Sequence, residues 1–259
     1  MPRQPSQTSR ISRNSRGKNS SKRHVKAGRT PGADVVDIQG LKFKAEREPP
    51  PIKALTPRQA EYLDALRASN QVIVLGPAGT GKTWIAATHA ADLYRKRRIE
   101  RIVLTRPNVP CGRSLGFFPG SLEDKFAPWA VPVTAAIRER MGAGAFDIAV
   151  KRGDIEMVPF EVMRGRSWDS SFVLLDEAQN TTPEEIEMFL TRIGADSTVV
   201  INGDAAQSDL GRESGLAVAL GLIRANALPV PVIEFGIDDI VRSGVCAMWV
   251  RAFAAARAG

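Results

Sequence analysis

This sequence predicts an α/β fold in which a parallel sheet is covered by helices on both faces. Two observations carry that expectation. Five short apolar runs recur along the chain: Gln71–Leu75, Arg101–Thr105, Ser171–Leu175, Ser197–Asn202 and Val230–Phe235. Stretches of helical composition separate most of them. Near-continuous apolar strands alternating with helices are the mark of a sheet buried on both sides. The second observation is a glycine-rich turn, Gly76-Pro77-Ala78-Gly79-Thr80-Gly81-Lys82-Thr83, set between the first run and a helical stretch.

The N-terminal part stands apart from this pattern. Residues 1–30 carry nine Lys/Arg and no acidic residue, within a chain of net charge +8. The rest holds 27 basic residues against 28 acidic ones and is close to neutral. The segment is rich in Ser, Asn, Gln and Gly and poor in bulky apolar residues. It cannot bury enough surface to offset chain entropy, so disorder is expected. It reads as an electrostatic arm for nucleic acid, as a functionless solvated extension or as a targeting peptide. Residues 31–54 read as a linker with a strand-like piece, Val35–Ile38, closed by Pro49-Pro50-Pro51. The organisation expected is therefore a tail and linker over 1–54 and one folded domain over 55–259.

The folded part opens with Thr56 as an N-cap and Pro57 at the first helical position. The helix 57–69 then places Tyr62, Leu63 and Leu66 on one apolar face. Gln59 lies in its first turn; its amide offers a donor and an acceptor that suit an adenine edge. Next comes the loop Gly76–Thr83, which matches the phosphate-cradling pattern in full. Its glycines let backbone N–H groups face the phosphates, and the helix N-terminus adds its positive end. Lys82 would reach the β/γ-phosphates and the Thr83 hydroxyl would hold Mg²⁺.

Residues 108–153 break the alternation with Pro, Gly and aromatics, and read as an insertion over the active face. Arg113, Phe117, Phe118, Lys125, Phe126 and Trp129 mix cations with rings, which suits a single-strand groove. For Phe126 and Trp129 a small hydrophobic cluster or subunit contact is favoured. The apolar run Phe172–Leu175 ends in Asp176-Glu177, the Walker B pattern. Asp176 would bind Mg²⁺, and Glu177 is the natural base or orienter for an attacking water. That second acid points to hydrolysis. Thr182-Pro-Glu-Glu185 reads as a capping box. Gly203-Asp204-Ala-Ala-Gln207 follows the next run, at the edge where open α/β sheets bind ligands. Gln207 is a candidate contact for the γ-phosphate or its water.

Composition narrows the function classes. There is no apolar run of transmembrane length and no secretory h-region at the N-terminus, so neither a membrane protein nor a secreted one is expected. Two cysteines, Cys111 and Cys246, form no disulfide framework and fit a reducing, cytoplasmic setting. His24 and His89 are the only histidines, and no transition-metal site is expected.

Together, Gln59, the loop Gly76–Thr83, Asp176-Glu177-Ala-Gln-Asn180 and Gly203-Asp204-x-x-Gln207 resemble the first motor domain of superfamily-1 helicases. More narrowly, the chain resembles the PhoH family of phosphate-starvation-associated ATPases. Thr105-Arg106-Pro107, Leu115–Gly120, Arg164-Gly-Arg166 and Asp239-Ile-Val-Arg242 add to that likeness, which covers about residues 55–245. It departs from the family pattern at Ser243, where His is common. It also lacks an acidic cluster of nuclease type in the N-terminal segment. The resemblance implies a RecA-like P-loop NTPase sheet, with the strand before Gly203-Asp204 lying between the phosphate-loop strand and the Walker B strand. It further implies ATP and Mg²⁺ as cofactors, hydrolysis linked to RNA or DNA, and a ring-like homo-oligomer, with a hexamer as one option. With room for one motor domain only, the transition-state cation must come from a neighbouring subunit or from within, and supply in trans by a ring neighbour is the expectation. Arg242 and Arg106 are the candidates, with Arg166 behind them. The competing expectations are a nucleotide-switched binding module with slow turnover and, third, a small-molecule kinase.

Overall fold

The computed structural model describes residues 48–107, 122–204 and 213–258. The basic tail, the strand-like piece Val35–Ile38, the residues Arg113, Phe117 and Phe118, and Gln207 all lie outside the described residues. So do the side chains of Lys125 and Phe126. The chain divides into two units, Met1–Glu48 and Pro49–Gly259. All that follows concerns the second.

Among the described residues, six strands form one parallel sheet: β1 (Gln71–Leu75), β2 (Arg101–Thr105), β3 (Ile155–Met157), β4 (Ser171–Leu175), β5 (Thr198–Gly203) and β6 (Val232–Glu234). Their order is β3-β2-β4-β5-β1-β6. Every pairing is parallel, with Leu75 opposite Gly203 and Leu175 opposite Ile201. β5 lies between β1 and β4, the RecA-like placement that the resemblance implied.

Side-chain alternation along the strands divides the core in two. Val72, Val74, Ile102, Leu104, Phe172, Leu174 and Val200 point to one face. Ile73, Leu75, Val103, Val173, Leu175, Val199 and Ile201 point to the other. Both faces are apolar because both are covered. Helices α1 (Pro57–Ala68), α2 (Lys82–Arg95), α3 (Leu122–Met141) and α4 (Ala143–Arg152) supply buried residues to the first core. Helices α5 (Pro183–Leu190) and α6 (Gly215–Ala225) supply them to the second. A final helix, α7 (Gly244–Ala258), follows the last strand. Burying one Phe or Leu of these cores contributes about 1.5–3 kcal/mol.

The expected caps form. Thr56 Oγ1 accepts from Gln59 N at 3.2 Å, with Pro57 opening α1. Thr182 Oγ1 accepts from Glu185 N at 3.3 Å, and Glu185 Oε2 accepts from Thr182 N at 2.8 Å, closing the capping box of α5.

Two regions hold elements that the sequence did not predict. The stretch read as an insertion over the active face contains two helices, α3 and α4, that were not assigned from the sequence. Pro128 and Pro132 lie within α3 and obscured its period in the sequence. Its inner face carries the buried residues Val133, Ala136, Ile137 and Met141. That apolar face outweighs the helix-breaking tendency of the prolines. Beyond α4, β3 was not expected at all. It is only three residues long, too short for a periodic signal. Among the described residues, no helix is long and apolar enough to cross a membrane.

Candidate nucleotide site

Parallel pairing puts the C-terminal ends of β1, β4 and β5 side by side, so the segments that follow them share one edge of the sheet. A cleft of roughly 710 Å³ opens there. Its lining includes the loop residues Gly76 and Ala78–Thr83, together with Asp176, Glu177, Asp204, Gln59 and Arg242. A pocket of that size suits a nucleotide-sized ligand.

The loop after β1 is set by its surroundings. Gly76 N donates to Gly203 O at 3.1 Å, tying the loop's start to β5. Gly79 and Gly81 have φ of +89° and +88°, a left-handed backbone that other residues adopt only with strain. Gly81 is the N-cap of α2, so the first free N–H groups of that helix face the cleft. Thr80 is fully buried, and its hydroxyl donates to Pro77 O at 3.1 Å.

Lys82 folds back over this loop. Its Nζ donates to the carbonyls of Gly76 and Pro77, the latter at 2.8 Å. Burial pulls its pKa below the ordinary lysine value, against the opposing pull of Asp204, Asp176 and Glu177. A desolvated ammonium resting on main-chain carbonyls is well placed to exchange them for an anion.

Thr83 Oγ1 donates to the Asp176 carboxylate, at 3.2 Å to Oδ1 and 3.3 Å to Oδ2. Asp176 N is anchored to Thr105 O at 3.0 Å, which fixes the end of β4 against β2. Burial raises the Asp176 pKa, and the neighbouring Glu177 charge adds to this. The Thr83 hydroxyl, Lys82 and Arg106 work the other way. A divalent cation would relieve the same desolvation. A hydroxyl and a carboxylate are hard oxygen donors, the set Mg²⁺ selects. The residues present therefore fit that ion.

Glu177 has φ +56° and ψ +38°. For a residue with a Cβ this region costs on the order of 1–3 kcal/mol and clusters at functional positions. Its Oε2 accepts from Gln179 Nε2 at 2.6 Å.

The remaining candidates separate. Gln59 is buried rather than an exposed helix residue, at 3% exposure. Its Nε2 donates to Thr80 O at 2.9 Å and its Oε1 accepts from Leu55 N at 2.8 Å. Both halves of the amide therefore brace the main chain beside the phosphate loop. Arg242 packs on the loop of its own chain. Val241 N donates to Gly79 O at 3.0 Å, and a Cβ at Gly79 would come within 3.0 Å of the Arg242 side chain. Arg106 lies over the Trp129 ring, 5.9 Å from its centroid. Trp129 itself packs against the first core and also lines the cleft, with Pro132 and Val133. The middle of α3 thus borders the site. Arg166 pairs with Glu156 and lies over the Trp168 ring, outside the cleft lining.

Two contributors carry no individual role in the sequence reading. Gln179 bonds to Glu177, and Asn202 is fully buried on β5 with its Nδ2 3.4 Å from Thr83 Oγ1. Asn202 had a visible signal: a lone amide inside the apolar run Val199-Val-Ile-Asn202. Gln179 had none.

The family model described as PhoH-like protein matches residues 51–254. The chain belongs to the PhoH-like family. This PhoH-like chain is 42% identical over 204 residues to a PhoH-like protein of Bacillus subtilis (strain 168), covering 78% of this chain and 64% of that one. It is 39% identical over 211 residues to Protein PhoH of Escherichia coli (strain K12), covering 80% of this chain and 59% of that one. It therefore spans under two thirds of each of these relatives. Among solved structures, the Sulfolobus solfataricus SWI2/SNF2 ATPase core in complex with dsDNA aligns with TM-score 0.43 and 13% identity, over 73% of this chain and 47% of that one. The Pif1 helicase of Candida albicans aligns with TM-score 0.34 and 13% identity, over 71% of this chain and 40% of that one.

Proposed function

We propose that this PhoH-like domain binds ATP with Mg²⁺ and hydrolyses it, and that single-stranded nucleic acid stimulates the turnover. One observation carries the reading: the phosphate loop, the Thr83–Asp176 pair and Glu177 converge on a single cleft at the strand ends. Loop N–H groups and Lys82 hold the β/γ-phosphates. Thr83 and Asp176 hold Mg²⁺, which when bound neutralises phosphate charge. Glu177 orients a water in line with the γ-phosphate and takes its proton. Arg242, already against Gly79 of its own chain, supplies the remaining cation in cis. A homo-oligomeric ring with the arginine given in trans is the other arrangement, and subunit mixing separates the two.

The nucleic-acid part draws on the basic tail and on the family resemblance. Its test is ATP turnover with and without single-stranded RNA or DNA. Several-fold stimulation by one of them is expected. Turnover indifferent to both would leave a nucleotide-switched module.

Gln59 supports the loop rather than reading the base in this proposal. Gln59→Ala is then expected to weaken ATP and GTP binding alike, each by about 1–2 kcal/mol for a lost buried hydrogen-bond set. Binding titrations with both nucleotides check this. A loss confined to ATP would restore the adenine-reading role.

A further inference from the structure

Gln179 lies in the 3₁₀ turn Ala178–Asn180, directly after the acid pair, and is 1% exposed. Its Nε2 donates to Glu177 Oε2 at 2.6 Å. Its Oε1 accepts from Asp204 N at 3.0 Å. One amide thus joins the carboxylate beyond β4 to the first residue beyond β5. The turn carrying it is pinned from behind. Thr181 Oγ1 donates to Ala178 O at 2.7 Å, and Gly215 N, at the start of α6, donates to Thr181 O at 2.7 Å. Space at the other end depends on Gly203. A Cβ there would stand 3.2 Å from Gln179 Oε1 and 2.5 Å from Leu216 Cδ2.

A glutamate side chain is long and samples many rotamers unless something holds it. Glu177 also sits on a left-handed backbone that surrounding contacts must sustain. The contact at 2.6 Å fixes one carboxylate oxygen and leaves the other for water. We propose that Gln179 is the positioning residue for Glu177. Through its bond to Asp204 N, it ties the carboxylate's aim to the end of β5. This rests on the reading of Glu177 as the residue that orients the attacking water.

The experiment compares wild type, Gln179→Met, Glu177→Gln and the double variant in single-turnover ATP hydrolysis. Binding of a fluorescent ATP analogue and the melting temperature are followed alongside. Gln179→Met keeps the length and removes both bonds. It is expected to slow hydrolysis about 100-fold, the scale of a misplaced catalytic group, with nucleotide affinity within a few-fold. In the Glu177→Gln background it should add no further loss, because residues acting as one unit are not additive. Gln179→Glu is the second variant, in case the first does not fold. It keeps the acceptor for Asp204 N, sets a like charge against Glu177 and should slow hydrolysis comparably. Unchanged hydrolysis in a folded variant overturns the proposal. So does an equal loss in both backgrounds, which would mark a general structural role. If Glu177→Gln alone hydrolyses ATP like wild type, the reading of Glu177 fails first and is identified as the cause.

Discussion

Glu177→Gln is expected to bind ATP as wild type does and to turn it over about 10²–10⁴-fold more slowly, the usual share of a general base. That factor corresponds to about 3–5 kcal/mol of barrier. The substitution is isosteric, and the new amide still offers an oxygen to Gln179 Nε2. The side chain keeps its place while the base is removed. Nothing in the phosphate loop changes, so binding should survive. Steady-state phosphate release together with nucleotide titration checks both halves. A variant that hydrolyses within a few-fold of wild type would mean that another group activates the water. Asp204 also lines the cleft and would be examined next.

Arg242→Ala is expected to lower turnover by about 10³-fold with a smaller effect on ATP affinity, as for a cation that acts in the transition state. The position supports this role. The hydrogen bond from Val241 N to Gly79 O holds the segment against the loop, and the Arg242 side chain packs at Gly79. Arg242→Lys should rescue only part of the loss, since a point charge does not replace the planar guanidinium fork. Mixing Arg242→Ala with Glu177→Gln protein tells cis from trans. In cis neither subunit has a complete site, and activity stays low. In trans one composite site has both groups intact, and activity returns. Should Arg242→Ala retain wild-type turnover, Arg106 becomes the candidate, since its charge reaches Asp176.

Much of this site was legible in the sequence because its signals are local. The phosphate loop is eight consecutive residues with fixed chemistry, and the Walker B acids end a run whose apolar character already marks a strand. The caps at Thr56 and Thr182 are equally local. What the sequence hid depends on distant packing. Gln59 reads as a candidate for the adenine edge and Gln179 as one member of a motif; only the folded sheet brings Gln59 beside Thr80 O and Gln179 beside Asp204 N. The placement of β5 beside β1 came from the family resemblance, because strand order leaves no trace in a single run. The helix α3 was hidden by its two prolines, and β3 by its length.

The most direct test of the central claim is phosphate release from ATP by the purified protein, with and without Mg²⁺, beside the Glu177→Gln variant. Release that requires the cation and falls by at least about 10²-fold in the variant is the predicted result. No release from wild type, or release undiminished by the substitution, would contradict the assignment of this cleft as an ATP-hydrolysing site.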